Sequence, residues 1–326
     1  WPIDTDLSTW VTTLSVKALG GTVTETDQFK IKDSQKIIKW LLSQQYQQVH
    51  PYTNSPAGGW AWTNLPGGVP DADDSAGALL ALSILGGRSP NARVIESVEK
   101  GILWLLQLQN RDGGVPTFCR GWGAMPFDRS SPDITSHCLR AWDKWHDLID
   151  PVIAARVERA TERAIDYLRR KQLFEGCWSP LWFGNQHLTE ENNLTYGTSQ
   201  VVTALVDLSK HNKAITAGIL ERGIQWLEGT QNSDGGWGGG DITSPSSIEE
   251  TALATDALLA AGGSRQVTTR GIQWLISATS EGRKFSPTPI GFYFAKLWYH
   301  ERLYPIIWTV SALTRAEGTC VKKSGS

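Results

Sequence analysis

Ile224-Gln225-Trp226-Leu227, followed by Gln231 and then Gly235-Gly236-Trp237, is one of five versions of a single phrase, and its repetition decides the fold. The phrase is an apolar helix end carrying an aromatic residue and a leucine, then a glutamine, then a glycine turn. It recurs as Ile38-Lys39-Trp40-Leu41 with Gln45 and Gly58-Gly59-Trp60, and as Ile102-Leu103-Trp104-Leu105 with Gln109 and Gly113-Gly114. A fourth copy is Ile165-Asp166-Tyr167-Leu168 with Gln172 and Gly176-Cys177-Trp178; a fifth, Ile272-Gln273-Trp274-Leu275, has lost the glutamine and the glycine pair. The aromatic positions 40, 104, 167, 226 and 274 lie 64, 63, 59 and 48 residues apart, which leaves room for two helices per unit.

The helices between these phrases differ in character. Stretches 75–85, 134–145, 198–208, 250–261 and 304–316 are rich in Ala, Leu, Val, Ser and Thr, whereas 92–109, 152–172 and 213–230 carry Arg, Lys and Glu at helical spacing. The first set belongs inside and the second outside. With 7–19 added there are six inner helices, the number that closes an all-α α/α toroid, an α6-α6 barrel, with its cavity at the inner-helix ends. Strand-like alternation is absent, which excludes a nucleotide-binding α/β sheet. The glycine turns follow helices and lack a phosphate-loop lysine. They read instead as left-handed helix caps, with a Trp packed over each and the Gln bonding orphan backbone groups.

Composition narrows the function. The 326 residues carry 31 Lys+Arg against 33 Asp+Glu, so no broad basic surface offers itself to nucleic acid. Tryptophan, at 16, outnumbers the 7 Tyr and 8 Phe together. Trp40, Trp104, Trp226, Trp237 and Trp274 are assigned to fastening repeat turns. No window approaches the roughly 18 apolar residues of a membrane span, and no basic segment followed by an apolar run opens the chain. Cys119, Cys138, Cys177 and Cys320 have neither zinc spacing nor disulfide density and read as buried thiols. The expectation is a soluble cytoplasmic protein whose 326 residues form one domain, ending in the tail Lys322-Lys323-Ser324-Gly325-Ser326.

Pro70-Asp71-Ala72-Asp73-Asp74-Ser75 opens the second inner helix. One aspartate at a helix start ordinarily caps it; three in four positions cannot all ionise cheaply in a dry cavity, so at least one carboxyl stays protonated as a strong acid donor. The chemistry that needs such a donor is protonation of a weakly basic carbon centre, an alkene or epoxide. One repeat on, Asp133 and His137 lie four apart on a helix and can pair. Asp74 and His137 are 63 residues apart, matching an outer-helix interval of 63, and this register sets the His beside the acids. A cationic or hydrogen-bonding imidazole there sharpens the acid, with Asp133 orienting it.

Asp71-Ala72-Asp73-Asp74 resembles the DxDD signature of class II terpene cyclases, and the repeated phrases resemble the QW repeats of squalene-hopene cyclases. The resemblance runs from about Trp40 to Ala316. It implies Asp73 as general acid, Asp71 and Asp74 as supporting carboxyls, His137 with Asp133 as the hydrogen-bonding pair, and Tyr196 near the acid. Its cavity aromatics map to Trp62, Phe118, Trp182, Tyr293 and Trp298. An insertion around 186–193 departs from the pattern between Trp182 and Tyr196. Squalene-hopene cyclases use two barrels where this chain carries one, which is similar to single-domain class II cyclases that act on farnesylated aromatic acids. The implied reaction uses no metal or cofactor, and its partner is a small isoprenoid; peripheral membrane contact near the cavity mouth suits so apolar a substrate.

Other classes stay open on the sequence. Farnesyl diphosphate or squalene are alternative substrates for the same chemistry. A toroidal glycosidase is also Trp-rich but takes its two carboxylates from separated positions. A protein prenyltransferase β-like subunit needs a zinc site, and a helical scaffold has no use for buried acids. Oligomeric state and substrate head group are not legible.

Overall fold

The computed structural model describes residues 6–20, 33–87, 89–119, 125–211, 213–241, 243–291, 294, 296 and 298–324. Of these, the residues up to Arg170 form one compact unit and those from Lys171 onward a second. The first unit carries α1 (Ser8–Gly20), α2 (Ser34–Gln44), α3 (Ala72–Gly86), α4 (Ala92–Leu108), α5 (Pro132–Trp145) and α6 (Pro151–Lys171), whose last residue opens the second unit. The second continues with α7 (Leu194–Ser209), α8 (Lys213–Thr216), α9 (Ile219–Gly229), α10 (Ile248–Ala261), α11 (Arg265–Ala278) and α12 (Tyr304–Ser324). Among the described residues the only ladder is a two-stranded antiparallel ribbon of Val115–Pro116 with Ser130–Ser131.

In the first unit α3 packs between α1 and α5, and α2 and α4 lie against it; in the second, α10 packs between α7 and α12, and α9 and α11 lie against it. The charge patterning explains the layers. Helix α3 is buried from Ala72 through Leu82 apart from Asp73, whereas α4 buries one face through Val94, Val98, Ile102 and Leu105. The outer stretch 213–230 is not one helix, since Gly218 turns to φ 80° and divides α8 from α9.

The phrases interlock successive repeats. Gln109 Nε2 donates to Gly113 O in its own turn and to Ala160 O on α6. Gln45 does the same to Gly58 and Ser97, Gln172 to Gly176 and Ile219, and Gln231 to Gly235 and Val267. Each glutamine therefore ties its turn to the next outer helix. The glycines are not helix caps as the sequence suggested. Gln45 and Gln109 themselves end α2 and α4 in extended backbone, and the positive-φ glycine follows in the turn. There Gly113 (φ 90°) lies so close to α6 that a Cβ would sit 2.2 Å from Arg163 O. The aromatic of one phrase covers the turn before it, Trp104 on Gly59, Tyr167 on Gly114 and Trp274 on Gly236. The buried Trp60 and Trp237 donate Nε1 to Leu41 O and Leu227 O.

Candidate active site

A backbone N–H in each turn pins the start of an inner helix. Trp60 N donates to Ser75 Oγ, Val115 N to Thr135 Oγ1, Trp178 N to Thr198 Oγ1 and Trp237 N to Thr251 Oγ1, at 2.8–3.1 Å. Two residues before those hydroxyls stand Asp73, Asp133, Tyr196 and Glu249. The repeat thus presents one equivalent position at the N-terminal end of four inner helices, and each copy fills it with an acid or a phenol.

Within the first unit α3 and α5 bring the acid cluster together. Asp71 is the N-cap of α3, its Oδ1 accepting from Asp74 N at 2.8 Å. His137 Nδ1 lies 2.7 Å from Asp73 Oδ1. Lys17 of α1 sets its Nζ 3.2 Å from His137 Nε2. Trp10, on the same helix, meets the imidazole edge-on with centroids 6.1 Å apart. Gly77 makes this approach of α1 possible, because a Cβ there would stand 2.7 Å from Thr13 Oγ1 and 3.6 Å from His137 Cε1. Asp71, Asp74, Asp133 and His137 are buried, while Asp73 keeps 19% of its side chain accessible. Asp73 is therefore the one acid of the cluster open to a ligand.

Burial raises all four carboxyls. Asp73 goes up to about 6, with the Lys17 charge pulling it back, and Asp133 to about 7 through burial and the neighbouring Asp73. Asp71 and Asp74 rise as well, burial leading; the charges of Asp71 and Asp73 and the side-chain hydrogen bond to Asp71 push Asp74 further up, while that same bond lowers Asp71. Asp74 is accordingly the neutral partner. His137 is pushed well below the usual histidine range by burial first, then by Lys17 and Arg140.

The sequence placed the histidine beside the acids, and it lies there. It also expected Asp133 to orient the ring, and that is corrected: both ring nitrogens are taken, by Asp73 and Lys17, while Asp133 accepts from the Ser131 hydroxyl. Trp62 and Phe118 stand in the same unit with ring centroids 6.3 Å apart, and Phe118 meets Phe127 edge-on at 5.2 Å. Trp182, Tyr196 and Trp298 belong to the second unit. There Trp182 packs on Phe294, and Tyr196 joins Phe183, Tyr304 and Trp308, its ring 4.1 Å from that of Phe183. Tyr293 and the side chain of Cys320 lie outside the described residues. Cys138 is buried and its thiol pushed well up by burial, and Cys177 is raised to about 12 for the same reason.

Two features went unread in the sequence. Lys17 stands in the last turn of an otherwise apolar helix, and nothing local links it to a residue 120 positions away. Glu249 and Glu250 are fully buried at the start of α10; Asn185 and Asn193, on the flanks of the insertion, both donate at 2.9 Å to Glu250 Oε1. Burial raises Glu249 to about 7 and Glu250 to about 8. Their register with Asp73 and Asp74 was the available signal. Among the described residues no group of three or more His, Cys, Asp and Glu is placed to hold a metal ion, and no helix is long and apolar enough to cross a membrane.

A family model described as squalene-hopene cyclase C-terminal domain matches residues 7–317. The chain belongs to the squalene-hopene cyclase family. A terpene cyclase-glycosyl transferase fusion protein from Humicola fuscoatra is 29% identical over 299 residues, covering 80% of this chain and 21% of that protein. A squalene–hopene cyclase from Bradyrhizobium diazoefficiens is 25% identical, covering 83% of this chain and 42% of that one. The chain thus spans less than half the length of these curated relatives. Among solved structures, ent-copalyl diphosphate synthase from Streptomyces platensis superposes with TM-score 0.68 at 19% identity, over 95% of this chain and 51% of that one. A variant of the type II terpene cyclase MstE from Scytonema, in complex with geranylgeranyl dihydroxybenzoate, gives 0.66 at 16%, over 95% and 88%. These likenesses show the fold, all-α and of the α/α-toroid kind. A possible member of the GH105 family from Salmonella enterica gives 0.68 at 16%, over 95% and 83%, so the fold by itself does not separate cyclase from glycosidase. The family model, over residues 7–317, is that of the squalene-hopene cyclases.

Proposed function

We propose that this member of the family is a class II terpene cyclase that starts ring closure by protonating a linear isoprenoid from Asp73. One observation carries the reading: Asp73 is the accessible member of a buried carboxyl cluster, and its Oδ1 is held by His137, which leaves Oδ2 to carry and deliver the proton. Asp71 and Asp74, sharing a hydrogen bond with Asp74 neutral, back the acid without adding a second full charge.

In the first step the alkene π pair takes the proton, the Asp73 O–H bond breaks and a tertiary carbocation forms. The carboxylate left behind is met by the His137 N–H and the Lys17 charge. Later double bonds attack the cation in turn, and the last cation loses a proton. Trp62 and Phe118, whose rings pack edge-on in the same unit as Asp73, are proposed to offer π faces, each worth about 0.5–2 kcal/mol to a desolvated cation. On resemblance alone, Tyr196, Trp182, Tyr293 and Trp298 are proposed as further substrate-binding residues.

The substrate class is proposed by analogy with the complex of the MstE variant, which carries geranylgeranyl dihydroxybenzoate, a longer-chain prenylated aromatic acid. A farnesylated aromatic acid giving a polycyclic meroterpenoid is the reading adopted, ahead of farnesyl diphosphate or squalene. The purified protein, incubated in EDTA with each of the three, should cyclise the aromatic acid with the head group intact. No reaction in EDTA, with release of diphosphate as the only reaction once magnesium replaces it, would overturn the protonation reading. Conversion of squalene alone would overturn the substrate assignment.

A further inference from the structure

The proton that Asp73 must carry has two places to sit. One proton shared between Asp73 and His137 gives either a neutral carboxylic acid beside a neutral imidazole, or a carboxylate beside an imidazolium. Only the first is an acid that Asp73 can deliver.

We infer that Lys17 is a positioning residue that selects between these two states, by making the imidazolium impossible to form without confronting an ammonium group. The argument is one of donors and acceptors. A lysine ammonium has three donors and no acceptor. Its Nζ stands 3.2 Å from His137 Nε2, so Nε2 offers its lone pair and carries no hydrogen. The single ring proton is then on Nδ1, 2.7 Å from Asp73 Oδ1, where it donates. An imidazolium would turn Nε2–H directly at the ammonium, a clash of like charge and of donor with donor inside a buried site.

The remaining groups around the ring act in the same sense or leave it unchanged. From α1 the ring faces Lys17 and the edge of Trp10; from α3 it faces Asp73, with Asp71 and Asp74 behind. From its own helix Arg140 adds a second positive field, and Asp133, one turn back, is raised by burial toward its neutral form. His137 is buried, so water cannot readily screen the Lys17 charge. Gly77 completes the device, since a side chain there would hold α1 and its lysine off the ring.

The consequence for the proposed cyclase, on which the catalytic part of this inference rests, is that Lys17 keeps the proton on the carboxyl and fixes which oxygen bears it. Its effect on the ring can be read without substrate. NMR of isotope-labelled histidine ring nitrogens, with the His137 signals assigned by their loss in His137→Asn, reports whether one or both nitrogens are protonated. Wild-type protein should show Nδ1 protonated and Nε2 bare at neutral pH and on acidification past the ordinary histidine value of about 6.5. Lys17→Arg, another donor without an acceptor, should keep that signature. Lys17→Met, and Lys17→Gln whose amide can turn to accept from Nε2–H, should show both nitrogens protonated at about pH 6, with initiation roughly 10-fold slower or more. An imidazolium in wild type at neutral pH, or Lys17→Gln and Lys17→Met spectra identical to wild type, would overturn the inference. Should the ring behave as stated while no isoprenoid is turned over, the cyclase reading fails and the Lys17 assignment stands.

Discussion

A carboxylic acid that protonates an alkene has to be neutral when the substrate arrives and strongly acidic once it is there, and residues around Asp73 pull in both directions. Burial raises it to about 6, and the Lys17 charge keeps it from rising further. Because the protonated form is the reactive one, initiation should slow as pH climbs above about 6, by up to about tenfold per unit, in single-turnover measurements from pH 5 to 9. A rate that increases steadily across that range would be incompatible with Asp73 as donor. Asp73→Asn keeps the shape and loses the proton, so turnover should fall by roughly 10³-fold or more with an unchanged melting temperature. Most of this cluster was legible in the sequence, because helical register fixes Asp71, Asp73, Asp74 and His137 relative to one another. The partner of His137 was not: spacing four along α5 permits a pair with Asp133, but the ring turns across to α3 and α1, a choice made by tertiary packing.

At the scale of elements, the repeated phrase specifies contacts between repeats rather than within one. Gln109→Ala removes two hydrogen bonds that join a turn to α6 and should cost about 1–3 kcal/mol in chemical denaturation. Two glycines with positive φ separate conformational strain from steric crowding. Gly262 (φ 69°) closes α10 with no atom within 4 Å of an added Cβ, so Gly262→Ala should cost about 1–2 kcal/mol. Gly113→Ala adds a collision with the Arg163 carbonyl to the same strain and should cost about 3 kcal/mol or more. Equal losses at the two sites would refute the close-approach argument. The sequence told inner from outer helices through their charge, since a helix buried over most of its surface carries few Arg and Lys. It misread the glycines as caps because a cap and a tight turn beyond the helix share the same residue. It also missed the break at Gly218, where Ala217-Gly218 interrupts an otherwise helical pattern.

The whole molecule stores several carboxyls away from water, among them Glu249 and Glu250, with Glu250 raised to about 8. For an acid raised on folding, the favourable contribution is complete below the unfolded value near 4.5 and is lost as pH rises through the folded one. Glu250→Gln keeps an acceptor for Asn185 and Asn193 and removes the ionisable proton. Its melting temperature relative to wild type should therefore increase between pH 5 and pH 9; a difference that is flat with pH would mean that Glu250 is not held neutral. The fold itself is shared with solved proteins of more than one activity, so the central claim rests on where the initiating proton goes. It is tested most directly by cyclisation in D₂O with EDTA, followed by mass and position analysis of the product. The account predicts one deuterium fixed at the carbon where ring closure begins, absent with Asp73→Asn. A cyclised product with no deuterium at that carbon would contradict it.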